Sequence, residues 1–286
     1  MAVVELAAGP VTYEDTGGTG PVVLLGHGPP MDSRAWRKVV PLLPGFRVIT
    51  PTLPLGGHRT PMRPDADLSQ RGIARLLGDL LDALDLTDVT LVLNDWGGGQ
   101  FLINDGRTDR VGRLVLAACE AFDNFPPGAA KSLGAAARVP GGMWLLLQLF
   151  RLRAFRRMPG GYGGMSVAGL PDDLLVDWFA PATRDRRIRR DFARFAAGAP
   201  GRSELLRLAA GWRAFTKPVL VVWAEQDPLM PAAHGPRLAA LYPDARLEVL
   251  ADCATLVGED QPERFARLVA DFAVQGGLAD SLRPIH

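Results

Sequence analysis

Cysteine, lysine and histidine are all scarce in this chain of 286 residues. The two cysteines, Cys119 and Cys253, are too few for a disulfide framework or a zinc site. The lysines are Lys38, Lys131 and Lys217, so nearly all the basic charge is arginine, a skew of composition and not a functional signal. With 4 histidines (His27, His58, His234 and His286), any imidazole chemistry has few candidates. No apolar run approaches the roughly 20 residues needed to span a bilayer. Met1 to Gly9 has no cationic stretch and too short an apolar one to read as a signal peptide. Charge of either sign is not in excess: 32 Lys+Arg against 31 Asp+Glu removes the electrostatic case for nucleic acid or a membrane surface as partner. These absences point to a cytoplasmic globular protein with a small-molecule partner and no cofactor or metal. They do not address oligomeric state.

What is present is alternation. Val22–Leu25, Phe46–Thr50, Val89–Leu93, Leu114–Ala118, Val219–Trp223 and Leu247–Leu250 are short apolar runs of strand type. Pro51 and Pro54 break the second of them. Ser33–Leu42, Leu68–Leu86, Ala232–Leu241 and Pro262–Phe272 read as helices between them, with Ser69 placed to cap the second. Strands alternating with helices predict a mostly parallel sheet covered on both faces. From about Phe122 to Trp212 the strand pattern is lost, and helices separated by Gly- and Pro-rich breaks predict a helical insertion. The expected division is therefore a core at 1–121, an insertion at 122–212 and the rest of the core at 213–286. The arginine-dense run Arg184–Arg194, partly matched by Asp185 and Asp191, reads as a solvated helix face. Met143–Leu147 reads as packing or as pocket lining. The tail after about Gly276 is expected to be poorly ordered.

The strongest chemical signal is Leu93-Asn94-Asp95-Trp96-Gly97-Gly98, a buried strand running into a glycine-rich turn. A sharp strand-to-helix turn presents one side chain at the C-terminal edge of a sheet, where open α/β folds bind ligands. That residue is Asp95, which either carries chemistry or caps the following helix. His27-Gly28-Pro29-Pro30 follows an earlier strand, where a backbone turn can supply an oxyanion-type donor. Asp227 follows a later strand and suits the acid of a triad.

In chain order and spacing these pieces resemble the α/β-hydrolase superfamily, within it the aspartate-nucleophile branch of haloalkane dehalogenases and epoxide hydrolases. His27-Gly28-x-Pro30-x-x-Ser33-x-x-Trp36 is similar to the dehalogenase segment at the oxyanion hole, and Asn94-Asp95-Trp96-Gly97 to the dehalogenase elbow. The insertion stands where that family carries its cap. The resemblance implies an Asp95 carboxylate that attacks carbon, an indole N–H of Trp96 that binds the leaving halide, and a histidine that activates water. Trp144 and Trp178 are the cap candidates for a second halide donor. Glu120, after the strand Leu114–Ala118, stands where some dehalogenases place the acid.

The chain departs from the pattern at its histidine. Glu259 and Pro262 fit the last motif, but Ala254 and Thr255 occupy the Gly-His positions. Thr cannot serve as a general base near neutral pH. His58, on a loop after a strand, is one substitute. Another is a cluster of Asp95, Glu120 and Asp227, since clustered carboxylates raise one another's pKa. Site candidates are thus Asp95, Asp227, Glu120 and His58 for catalysis, with Trp96, His27, Gly28, Pro29, Thr255 and Trp144 for substrate. Three readings stay open: a dehalogenase-like hydrolase; a lyase, isomerase or cyclase using Asp95 without a covalent step; and a ligand-binding pseudo-hydrolase. In the last, Asp95 would be tied up by backbone hydrogen bonds and Thr255 would fill the histidine space.

Overall fold

Five of the six apolar runs become inner strands of one eight-stranded sheet, and the sixth, Leu247–Leu250, lies in the edge strand opposite the N-terminal hairpin. The computed structural model describes residues 1–280, apart from the side chains of 129 and 275–280. The strands are β1 (Ala2–Leu6), β2 (Gly9–Asp15), β3 (Val22–Gly26), β4 (Arg47–Thr52), β5 (Val89–Asp95), β6 (Val111–Cys119), β7 (Val219–Ala224) and β8 (Ala245–Leu250). Their order is β1-β2-β4-β3-β5-β6-β7-β8. β1–β2 and β2–β4 pair antiparallel; every later pair is parallel. Successive side chains of a strand face opposite sides. Leu24, Leu91 and Leu93 accordingly enter one core, whereas Val23, Leu25 and Val92 enter the other. A sheet buried on both faces needs this continuous apolar sequence. The helix Gln70–Ala83 covers the first face, and Ser69 caps it by accepting from the Gly72 N–H at 3.1 Å. The C-terminal helix Pro262–Asp280 covers the second, through Phe265 and Val269.

Three features depart from the expectation. The β1–β2 hairpin gives no apolar run, because β1 is an edge strand exposed on most of its length. Ser33–Leu42 forms two 3₁₀ turns, Ser33–Trp36 and Val40–Leu42, instead of one helix; Pro41 lies in the second and has no N–H to donate. Pro51 does not end its strand. β3 pairs only with Arg47–Ile49, so at Pro51 the strand has β2 alone as neighbour, a position that tolerates proline. The expectation for the tail falls largely outside the described residues, as does His286; the last helix runs to Asp280.

Between β6 and β7 the described residues form helices, including Lys131–Ala137, Gly142–Leu149, Asp172–Arg184, Arg186–Ala197 and Arg202–Gly211. Asp185 caps the arginine-rich helix by accepting from the Arg187 N–H at 2.8 Å. One face of that helix packs inward through Ile188, Phe192 and Phe195. Asp191 lies on this inner face and is fully buried, so the run is not simply a solvated surface. Met143 and Leu147 are buried packing, while Trp144 and Leu145 face solvent. Trp178 ties the insertion to the loop after β3, its indole N–H donating to Asp32 Oδ1 at 3.0 Å.

Candidate active site

Asp95 ends β5, between β3 and β6 in the sheet. Its φ of 61° lies in the left-handed region, the strained turn expected of an elbow that lifts one side chain above the sheet edge. Two glycines make room at this turn, one for Asp95 and one for Trp96. A Cβ on Gly28 would lie 1.7 Å from Asp95 Oδ2, so only glycine lets the loop after β3 close on the carboxyl group. A Cβ on Gly98 would lie 2.1 Å from the indole nitrogen of Trp96.

The Asp95 carboxyl group opens on a cavity of about 260 Å³, toward the small end for ligand sites. Pro29, Glu120 and Leu229 line it from the core, and Leu133, Phe150, Phe155, Met158, Tyr162 and Met165 from the insertion. None of the described lining residues is Lys, Arg or His. No hydrogen bond to the Asp95 carboxyl group is found among the described residues, and burial, reinforced by the Asp227 charge, pushes its pKa up to about 8.

Glu120 follows β6 directly, and its N–H donates to the Asp95 carbonyl at 2.9 Å. Its Oε2 is buried without a partner among the described residues. Burial, with the Asp95 charge beside it, holds its carboxyl group well above the ordinary range. Asp227 differs. Its Oδ1 accepts from the N–H groups of Leu229 (2.8 Å) and Met230 (3.0 Å) and from Thr255 Oγ1 (2.9 Å). Burial raises its pKa and these three bonds oppose the rise. Its Oδ2 is buried and unpartnered among the described residues. Asp227 does not line the cavity.

The fold thus brings Asp95, Glu120, Gly28, Pro29 and Asp227 to one edge of the sheet. Thr255 is wholly buried, and its hydroxyl donates to Asp227 Oδ1. Asn94 fixes that loop, donating from Nδ2 to the carbonyls of Thr255 (2.6 Å) and Ala117 (2.8 Å).

Other candidates are placed elsewhere. His58 faces the insertion, with Nε2 3.3 Å from Asp191 Oδ2, and does not line the cavity. His27 accepts the Leu53 N–H on Nε2 at 3.0 Å, so Nδ1 carries the proton and donates to Gly28 O at 2.9 Å. Burial lowers its pKa, and the ring is a neutral brace for the loop. Trp96 is buried, its N–H unpartnered among the described residues, but it packs beside Gly98 and off the cavity wall. Trp144 is 51% exposed on the outside of the insertion and does not reach the cavity, because its helix buries the opposite face. His234 packs edge-on against Phe122 at 5.2 Å, outside the site. Glu259 is held by Arg37 and Lys38, both at 2.8 Å.

Sequence reasoning missed the walls of the cavity. Tyr162 stands in a glycine-rich loop, yet its hydroxyl donates to Pro29 O at 2.8 Å, joining insertion to core above Asp95. Phe150, Phe155 and Met158 likewise carry no motif. Their only signal is apolar character in an otherwise polar, arginine-rich stretch.

A parallel sheet with a strained aspartate elbow, a covering helical insertion and an acid after β6 or β7 defines a hydrolase-fold architecture. Residues 22–268 match the model of the alpha/beta hydrolase family, and the chain belongs to it. Haloalkane dehalogenase 2 of Mycobacterium bovis is 29% identical over 272 residues, covering 92% of this chain and 91% of its own. A 2-hydroxy-6-oxononadienedioate/2-hydroxy-6-oxononatrienedioate hydrolase of Cupriavidus pinatubonensis is 26% identical over 268 residues, 90% and 88% of the two chains. Among solved structures, an ancestral haloalkane dehalogenase superposes with a TM-score of 0.77 at 25% identity, covering 97% of this chain and 100% of that one. The names of these relatives describe different substrates, so the likeness carries the family and not the reaction. No described helix is long and apolar enough to cross a membrane.

Proposed function

We propose that this protein is a hydrolase acting on a small, neutral, largely apolar substrate, in which Asp95 attacks an electrophilic carbon and forms an alkyl ester. The insertion acts as the cap that holds the substrate and keeps water out. The observation that carries this reading is the Asp95 carboxyl group itself, raised on a strained elbow, facing a cavity that is largely apolar apart from Glu120, Ser132 and Tyr162, and bound by no hydrogen bond among the described residues. A carboxylate stripped of water and hydrogen bonds is a stronger nucleophile than a solvated one. The lack of a cationic group in the lining argues against an anionic substrate. The likeness to haloalkane dehalogenases supports attack at carbon.

A second reading is favoured by Thr255. With no histidine beside Asp227 among the described residues and with Asp95 held up to about 8, a proton-transferring lyase, isomerase or cyclase needs no ester hydrolysis. The pseudo-hydrolase reading expects Asp95 tied down by backbone hydrogen bonds, which are not found among the described residues, and Thr255 filling the histidine space, with which its buried hydroxyl on Asp227 is compatible. Intact-protein mass after incubation with alkyl halides and epoxides separates the two enzyme readings. Product release, or an added alkyl mass on the native chain that Asp95→Asn abolishes, is the expected result. Neither adduct nor released halide or diol across the panel would leave the non-covalent reading in its place.

A further inference from the structure

Hydrolysis of an Asp95 ester needs a group to take a proton from water, and among the described residues the ordinary candidates are not at the cavity. His27, His58 and His234 are all off its wall, and Thr255 carries no titrating group. Asp227 has one oxygen committed to three donors and does not line the cavity. The Tyr162 hydroxyl is donated to the Pro29 carbonyl. Glu120 remains. It lines the same cavity as Asp95, it is joined to Asp95 through its own backbone N–H, and its Oε2 is buried with no partner among the described residues. A carboxyl oxygen with no protein partner, on a side chain that lines the cavity, is open to a hydrogen bond with water or substrate.

We infer that Glu120 performs both proton transfers of the reaction, first as acid toward the leaving group and then as base toward water, so that two carboxyl groups do the work of a nucleophile and a histidine. The inference rests on Asp95 being the nucleophile. In the first step an Asp95 oxygen bonds to carbon. The bond from carbon to the leaving group breaks, its electron pair goes to that group, and the Glu120 proton follows. In the second step the Glu120 carboxylate takes one proton from water while the water oxygen adds to Cγ of the Asp95 ester. The adduct collapses, and the alkoxide departs with the second water proton. Asp95 is again a carboxylate and Glu120 again an acid; one water has been consumed, and an alcohol and a protonated leaving group formed.

The order of events follows from charge. Burial first, and the charge of an ionised Asp95 second, keep the neighbouring Glu120 protonated. Alkylation turns Asp95 into a neutral ester and deletes that charge, so Glu120 ionises more readily when a base is needed. Retaining glycosidases divide labour between two carboxyl groups in the same way, one as nucleophile and the other as acid and then base.

The test is Glu120→Gln, which keeps shape and removes the proton, with 1-bromobutane and 1,2-epoxybutane as probes. Bromide leaves as a stable anion and needs no acid; an epoxide oxygen does. With the bromide, the variant is expected to stall as a stoichiometric butyl ester, with butanol release down at least 100-fold. With the epoxide it is expected to form no adduct at all, while the native chain gives diol. Glu120→Asp should restore part of both reactions. Butanol release by Glu120→Gln within twofold of native would overturn the inference. So would equal losses on both probes accompanied by a lowered Tm and no rescue by Glu120→Asp, the signature of a structural role. If the native chain reacts with neither probe and matches Asp95→Asn, the nucleophile assignment itself has failed, a result distinct from the other two.

Discussion

Asp95 and Asp191 are both aspartates sealed from solvent, and the protein treats them in opposite ways. Asp191 is packed against donors: the Met62 N–H at 2.9 Å, the Arg190 guanidinium at 2.6 Å and the His58 ring at 3.3 Å. Those partners outweigh burial and hold its pKa below the ordinary value. Asp95 has no such donors among the described residues, and burial lifts it to about 8. Burial of a carboxyl group is therefore not the mark of a chemical site. The mark is burial without satisfaction, beside a cavity that a substrate can fill. His58 belongs to the satisfied region, which is why a loop at the correct sheet edge does not make it a catalyst.

The comparison can be broken most forcefully at Asp191. Asp191→Ala strips three donors of their acceptor inside the protein and should cost about 3 kcal/mol of stability. Denaturant unfolding measures this, and an unchanged midpoint would mean that the two aspartates differ less than argued. Asp95→Asn should act in the opposite sense, stabilising the fold by about 2 kcal/mol near pH 8. The sign follows from linkage. Its folded pKa lies above the unfolded value, so stability falls as pH rises from about 4 toward about 8, and the neutral amide escapes that loss. The gain in Tm should shrink toward pH 4. For the same reason the rate of ester formation on native Asp95 should climb roughly tenfold per pH unit below about 8 and level above it, which a pH series of adduct formation would show. Thr255→Ala removes one donor from Asp227 and should cost about 1 kcal/mol, read as a small Tm shift. Trp144→Ala, on the outer surface, should change stability by less than about 0.5 kcal/mol and leave ester formation unaltered; a large loss of reaction would put the outer face of the insertion into the site after all.

The architecture was legible because parallel strands must be apolar on both faces, and Val89–Leu93 or Val219–Trp223 can fold as little else. Asp95 was legible because a strand ending in Asp-Trp-Gly-Gly forces an elbow. The edge hairpin was not, since β1 is mostly exposed and owes its pairing to β2. The role of Trp144 was misread because an apolar stripe does not say which of its members faces inward; Met143 and Leu147 took that side. The halide-donor role implied for Trp96 met a similar limit, as neighbouring the nucleophile in sequence left its ring beside Gly98 and off the cavity wall.

Sequence alone determined the alternation of strand and helix and the aspartate at the elbow, because each depends on residue type and short-range spacing. Tertiary structure alone decided which carboxyl groups are satisfied. Glu120 and Asp227 look alike along the chain, each following a strand of the same sheet. Each keeps one buried oxygen without a partner among the described residues, but Glu120 lines the cavity, whereas Asp227 stands off it with its other oxygen held by Leu229, Met230 and Thr255. Hydrogen bonding and desolvation are set by neighbours far apart in sequence, and they decide which acid keeps its proton.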